Sequence, residues 1–410
     1  MRILHTVESY LPEKHGMSEV VRQISELLHL SGHDVTVATS ISKFRKSQEI
    51  NGVKIKSFDI KGNRVTGMTG EIEKYQSFLR QGKFDIITNF AAQQWASDLC
   101  FDLLPSLKAK KVFVPTGFSG LNNPIYSGYF EQMKTWMKHY DMNVFLSDNY
   151  QDVIFARDNQ IIERILIPNG ASRKEFLEKR DFDIRKFLNI PFKRQIVLHV
   201  GSYTGLKGHD QALKIFLKSK VKNAVLLFVG ENFDKPEVSN FTQRINWWKG
   251  GLKFHKFNLN GWVNMVHFIV NLFSGNLSNV FLVKLSRQEL IAAYKQADLL
   301  LFPSMIECSP VVLFEALASM TPFLVTRVGN SEEIIEWTNG GVLLPTVTAP
   351  DGYSYAIIPE SATIMSELLE DSDRLEELKI QGYSSWIENF TWEKIGQQYE
   401  KMYLDLLKQK

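Results

Sequence analysis

Cysteine is almost missing from this chain: Cys100 and Cys308 are the two found in 410 residues. A pair so far apart suggests neither a disulfide framework nor a zinc site, and fits a reducing compartment. Long apolar runs are missing as well. The strongest window, Trp262 to Phe273, is broken by Asn264, His267 and Asn271 and falls short of the ~20 residues that a membrane-spanning helix needs. The opening Met1-Arg2-Ile3-Leu4 leads into a strand rather than into the apolar core of a signal peptide. Excess charge is missing too: 48 Lys and Arg against 45 Asp and Glu leave +3, too little to point to nucleic acid. These absences predict a cytoplasmic protein, soluble or peripheral to a membrane. One local absence stands apart. Between Glu237 and Glu289 there is no Asp or Glu, whereas Arg244, Lys249, Lys253, Lys256, Lys284 and Arg287 are present with Trp247, Trp248 and Trp262. Cations mixed with tryptophan suit a segment lying at an anionic membrane surface, and equally an aromatic insertion packed on its own domain.

What is present is enough for two domains. The length allows two full cores, and 44% hydrophobic with 23% charged residues is the balance of a globular fold. A strand at Ile3–Val7, a helix with Val20, Val21, Ile24, Leu27 and Leu28 on one face, and a strand at Val35–Ala38 make a βαβ unit. Gly16 lies at its strand-to-helix turn, where a backbone could approach a ligand and where a plain turn glycine would read the same. Further strands at Asp85–Thr88 and Val112–Pro115 precede the turn Thr116-Gly117. The charged stretch Arg173 to Lys186 reads as a linker, and Asp181-Phe182-Asp183 within it as linker charge rather than a metal site. A second domain then opens with the strand Ile196–Val200 and a loop, Gly201-Ser202-Tyr203-Thr204-Gly205-Leu206-Lys207-Gly208. Glycines after a first strand, with a lysine among them, make a device for reaching phosphate.

The stretch around which the chain is organised is Pro303-Ser304-Met305-Ile306-Glu307-Cys308-Ser309-Pro310, continuing through Val311, Val312 and Glu315 to Ala318. The apolar run Ala297–Phe302 reads as a buried parallel strand ending at Pro303. Ser309 is a good N-cap and Pro310 a good first helical residue. The free amides near Val311 and Val312 would face a phosphate with the helix dipole behind them. Glu307 and Glu315 would repel that phosphate, so they make better sense as acceptors for hydroxyls on either side of a diphosphate, one on a ribose and one on a sugar. That is a nucleotide-sugar site.

The same stretch resembles the E-x7-E signature of the family-4 (group 1) retaining glycosyltransferases, which read roughly P-S-x-x-E-x7-E-A-x-A before a small residue, x-P and a G-G or G-N turn. Here these are Pro303-Ser304, Glu307, Glu315-Ala316-Leu317-Ala318, Thr321-Pro322 and Gly329-Asn330. Ile167-Pro168-Asn169-Gly170 resembles the turn closing that family's first domain, Arg287–Tyr294 the short helix before the P-S strand, and Phe390-Thr391-Trp392-Glu393 the lead-in to its last helix. The chain departs from the pattern at three places. One glycine, Gly16, stands where the family has a pair, Ser202 stands where it has an arginine, and Thr116-Gly117 occupies the turn where many relatives have a histidine.

The resemblance implies the GT-B fold: two Rossmann-like doubly wound domains facing across a cleft, with the C-terminal helix crossing back to the first. The domains expected are an acceptor-side domain over 1–172 with the crossing helix 391–410, a linker over 173–192, and a nucleotide-sugar-binding domain over 193–390 carrying the aromatic and basic insertion 238–279. It implies a retaining, metal-independent hexosyltransferase with no cofactor beyond its nucleotide-sugar donor, by default a UDP-sugar. The acceptor would be a glycan or a lipid-linked molecule, and the setting bacterial envelope polysaccharide synthesis. In that scheme Lys207 and the amides after Pro310 stabilise the departing diphosphate, Glu307 holds the transferred sugar, and Glu315 binds the ribose. Gly201, Ser202, Ser309, Pro310, Val311 and Val312 line the donor, while Gly16, Thr116 and Gly117 lie on the acceptor side. The competing readings are a sugar-nucleotide epimerase on the same fold and a non-catalytic sugar-nucleotide or polysaccharide-binding relative.

Overall fold

The computed structural model describes residues 1–13, 16–179, 181–231, 253–255, 280–350 and 352–409. By contact, the chain divides into two compact units. The first comprises Met1–Ser172, Cys308–Val311 and Asn389–Lys410, and the second Arg173–Glu307 and Val312–Glu388.

The first unit is built on β1 (Arg2–Thr6), β2 (Asp34–Ser40), β3 (Glu49–Ile50), β4 (Val53–Phe58), β5 (Ile60–Asn63), β6 (Gly67–Gly70), β7 (Ile86–Phe90), β8 (Lys110–Val114), β9 (Met142–Phe145) and β10 (Arg164–Leu166). Eight of these form one sheet in the order β10-β9-β8-β7-β1-β2-β4-β3, and β5 and β6 pair separately as a hairpin. Pairing in the main sheet is parallel except between β3 and β4. Successive residues such as Ile3 and Leu4, or Ile86 and Ile87, are equally buried, because a parallel sheet wrapped by helices has no wet face. The helix Gly16–Leu30 turns Val20, Val21, Ile24 and Leu28 inward, the 3.6-residue spacing visible in the sequence. The last helix, Trp392–Lys408, buries Trp392, Ile395, Tyr399, Met402, Tyr403 and Leu406 in the same core. It is reached beside Gly170, where an added Cβ would lie 2.4 Å from the Phe390 carbonyl oxygen.

The second unit repeats the plan with β11 (Gln195–Val200), β12 (Ala224–Val229), β13 (Lys253–His255), β14 (Val280–Val283), β15 (Leu299–Phe302), β16 (Phe323–Val325) and β17 (Gly341–Leu343). Their order is β13-β14-β12-β11-β15-β16-β17, all parallel. Strand order therefore reverses between β11 and β15 here, and between β1 and β7 in the first unit. In doubly wound sheets, ligands bind outside the carboxyl ends of the strands at such reversals.

One expectation needs amending. The stretch 173–192 is not a bare linker: it forms the helices Arg173–Leu177 and Ile184–Leu188, which bury Phe176, Ile184 and Leu188. Charge density in the sequence masked those three apolar anchors. Asp183 caps the second helix, accepting from the Arg185 and Lys186 amides at 2.9 and 3.0 Å. The basic and aromatic stretch 238–279 lies outside the described residues, apart from Lys253–His255, which form β13 beside β14.

Candidate functional site

In the second unit the loops that follow β11 and β15 come from the two strands flanking the reversal, and they are laced together. The Met305 amide donates to the Leu206 carbonyl at 2.9 Å, and the Gln211 amide nitrogen to the Pro303 carbonyl at 3.1 Å. Gly208 takes a left-handed φ of +74°, and a Cβ there would fall 1.8 Å from the Pro303 carbonyl oxygen. No other residue type fits both conditions. Gly230 is packed as closely on the other side, its missing Cβ 1.9 Å from the Gly201 carbonyl oxygen.

This lacing brings Lys207 and Glu307 together. Lys207 Nζ donates to Glu307 Oε1 at 2.7 Å, and Ser304 Oγ donates to the same oxygen at 2.8 Å. The Glu307 side chain is 10% exposed and that of Lys207 35%, so the cation faces solvent while the carboxylate is shielded. Gly201 lies against Lys207, its missing Cβ 3.3 Å from the lysine Cβ, and Ser202 follows it half-buried.

Beneath this loop are two histidines. His199 Nδ1 donates to the Leu301 carbonyl at 2.8 Å and His209 Nε2 to the Gly201 carbonyl at 3.1 Å, with ring centroids 4.4 Å apart. Burial holds His199 down to about 4 and His209 well below its ordinary value, so both are neutral donors near pH 7. Nothing in the sequence announced them, since a lone histidine on a strand or at a helix start carries no pattern.

Glu315 lies on the helix Val311–Ala318, and its side chain is 6% exposed. Its Oε1 accepts from Arg287 Nη1. Arg287 was visible in the sequence only as the first residue of a short helix. The expected helix cap differs: the helix begins at Val311, after Pro310, and the buried Ser309 Oγ makes no hydrogen bond. Ser309, Pro310 and Val311 group with the first unit, whereas Val312, Glu315, Glu307 and Lys207 group with the second. Within the first unit, Asn169 Nδ2 donates to the Ser309 carbonyl at 2.9 Å, which gives the I-P-N-G turn a physical task.

Gly16, Thr116 and Gly117, expected on the acceptor side, all lie in the first unit. Gly16 is the exposed first residue of its helix with nothing within 4 Å of a Cβ, so its described surroundings do not demand glycine. Thr116 and Gly117 sit in a strained turn at the end of β8: φ is +60°, +101° and +50° at Thr116, Gly117 and Phe118, and the neighbouring turn after β7 has +63° at Ala91 and +61° at Gln93. Such conformations cost about 1–3 kcal/mol each at non-glycine residues and persist only where the surroundings enforce them. Here Asp152 accepts from the Gly117 amide at 2.8 Å, and Gln151 donates to the Gly117 and Phe118 carbonyls at 2.6 and 2.8 Å. Gln94 bridges the β1–β7 reversal, accepting from the Glu8 amide at 2.7 Å and donating to the Ala91 carbonyl at 3.2 Å. Burial raises the Glu8 carboxyl above its ordinary value. No sequence pattern marked Gln94 or Gln151, which stand in the connections after β7 and β9.

Among the described residues, no helix is long and apolar enough to cross a membrane. Residues 267–359 match the family model "Glycosyl transferases group 1". The chain is 28% identical over 232 residues to the N-acetyl-alpha-D-glucosaminyl L-malate synthase of Bacillus anthracis, covering 56% of this chain and 51% of that protein, so it spans about half of that relative's length. Among solved structures it is similar to sucrose-phosphate synthase from Thermosynechococcus elongatus, with TM-score 0.73, 18% identity and both chains fully covered. It is also similar to Anabaena HepE in complex with UDP and glucose, with TM-score 0.70, 15% identity and coverage of 99% and 100%. These likenesses establish the GT-B fold. Over the matched segment, 267–359, the chain is similar to the group 1 glycosyltransferases.

Proposed function

We propose that the protein transfers a sugar from a nucleoside diphosphate-sugar, a UDP-sugar by default, to a hydroxyl of a glycan or lipid-linked acceptor. The observation that carries this reading is the pairing of Lys207 with Glu307 at the β11–β15 reversal. When the bond from the anomeric carbon to the diphosphate breaks, positive charge grows on the sugar ring and negative charge on the departing phosphate. A part-exposed ammonium held in place by a shielded carboxylate suits the second of these, because its donors are aimed before the reaction starts. On this reading Glu307 orients the ring through its hydroxyls, and Glu315 accepts from the ribose. Gly201, Ser202 and Val312 line the donor. Anomeric configuration is retained by front-face attack without a protein nucleophile, and no divalent metal takes part. The relative from Bacillus anthracis and HepE, solved with UDP and glucose, support the sugar-transfer chemistry and the uridine default.

The proposal further places the enzyme in the cytoplasm, in bacterial envelope polysaccharide synthesis, with residues 238–279 against anionic lipid. Incubation with radiolabelled UDP-, GDP- and ADP-sugars and a panel of glycan and lipid-linked acceptors tests the core of it. A new glycoside with the donor's anomeric configuration supports transfer, interconverted donor means an epimerase, and binding without product means a binding protein.

A further inference from the structure

A carboxylate as shielded as Glu315, 6% exposed, needs compensation, since a buried ionised carboxylate without a partner takes up a proton instead. The compensation comes from Arg287, and Arg287 is itself held. Its Nη1 donates to Glu315 Oε1, its Nε and Nη2 donate to Glu175 Oε2 at 2.9 Å each, and its guanidinium lies over the Phe176 ring, 5.5 Å from the centroid. The local sequence explains why the arginine leaves the helix there. Ser286 and Glu289 close a capping box, the Glu289 carboxylate accepting from the Ser286 amide at 2.8 Å, which makes Arg287 the first helical residue. Tyr294, two turns further on, faces the same carboxylate: burial first, and Glu315 next, push its hydroxyl well above the ordinary value. Thus Arg287 and Tyr294 face Glu315 from one helix, and Glu175 acts on it through Arg287 from another.

Three guanidinium nitrogens committed to two carboxylates leave Arg287 poorly placed to swing onto a phosphate, so it is not a substitute for the cation missing at Ser202. We infer that Arg287 is a positioning residue for the nucleoside end of the donor site, holding Glu315 ionised and in the rotamer from which it accepts ribose hydroxyls. This rests on the reading of Glu315 as a ribose ligand.

The test is binding, not turnover. Calorimetric titrations of the full chain with UDP, GDP, ADP and inorganic pyrophosphate are run between pH 6 and 9, with melting followed in parallel. Arg287→Met should weaken the preferred nucleotide tenfold or more at pH 6 relative to the parent, and the gap should close as pH rises and the stranded carboxyl ionises. Arg287→Lys should show no such pH-dependent gap. Pyrophosphate, which has no ribose, should bind parent and variants alike. Because Arg287→Met strands a buried charge and risks the fold, Glu315→Gln and the double variant Arg287→Met/Glu315→Gln keep the idea exposed. The double variant should bind nucleotide no worse than Glu315→Gln, with no pH-dependent gap.

A parent that binds nucleotide while Arg287→Met binds it equally well at every pH overturns the inference and leaves the donor reading intact. So does an Arg287→Met loss shared by pyrophosphate and independent of pH, which would be a general structural defect. A further tenfold loss in the double variant would mean that Arg287 touches ligand itself. A parent that binds none of the three nucleotides at millimolar concentration removes the donor reading and this inference with it.

Discussion

Removing either partner of the Lys207–Glu307 pair should cripple transfer, but the two losses should differ in what they do to the fold. In Glu307→Ala the lysine left behind is 35% exposed and water can solvate it, so the stability cost should be about 1 kcal/mol or less. In Lys207→Ala the carboxylate left behind is 10% exposed and keeps the hydrogen bond from Ser304 Oγ at 2.8 Å. Stranding a shielded acceptor costs about 1–3 kcal/mol, so Lys207→Ala should melt at the lower temperature. Catalytically both should lose about 3 kcal/mol of transition-state stabilisation, on the order of a hundredfold in kcat/KM. For Lys207→Ala the loss falls mainly in kcat, because charge grows on the leaving phosphate only as the bond breaks. The assay is product formation from radiolabelled donor under subsaturating and saturating conditions, paired with thermal melts. Near-normal kinetics in both folded variants would refute the site assignment. Equal melting temperatures with the expected kinetics would refute only the shielding argument.

How far the sequence could be read depends on whether a signal is local. The E-x7-E stretch, the glycine loop with Lys207 and the I-P-N-G turn are contiguous, and each reports a strand end, a tight backbone approach or a cap that neighbouring residues create. Gly208 is legible for that reason, because a glycine directly after a lysine-bearing loop and before a helix anticipates a left-handed φ, here +74°. Pairings that cross the fold were not legible. Arg287 reaches Glu315 and Glu175 from positions 28 and 112 residues away, and nothing local distinguishes it from other helix-start arginines. The same holds for Gln94, which joins β1 to β7 through Glu8, 86 residues away. Ser309 shows the reverse failure: its local signature is that of a cap, yet the helix starts at Val311 and its carbonyl is committed to Asn169, 140 residues away.

The remaining expectations are direct to check. Transfer should persist in excess chelator; loss of activity restored by magnesium or manganese would return Asp181 and Asp183 to consideration. Gly208→Ala should lower the melting temperature and weaken nucleotide binding together, since its Cβ would meet the Pro303 carbonyl oxygen at 1.8 Å at a φ of +74°; a melt within a degree of the parent contradicts this. The parent should co-sediment with anionic vesicles at low salt and release as salt rises, each Lys or Arg near the surface contributing roughly 1 kcal/mol; absence of binding at low salt makes 238–279 a structural insertion. Acid sensitivity should come from buried histidines. Burial holds His5 at about 3 and His199 at about 4, and His209 well below its ordinary value. An unfolded histidine takes a proton near pH 6.5, so below that pH the unfolded chain binds more protons than the folded one. The stabilisation these residues give is therefore complete above about pH 6.5 and falls as pH drops toward their folded values, by up to roughly 1.4 kcal/mol per pH unit for each histidine. Melting temperature should decline steeply between pH 6.5 and 5. His5→Gln should flatten that decline, because glutamine can keep one of the hydrogen bonds to Ser25 and Tyr403 and does not titrate. An equally steep decline in His5→Gln would show that His5 contributes nothing to it.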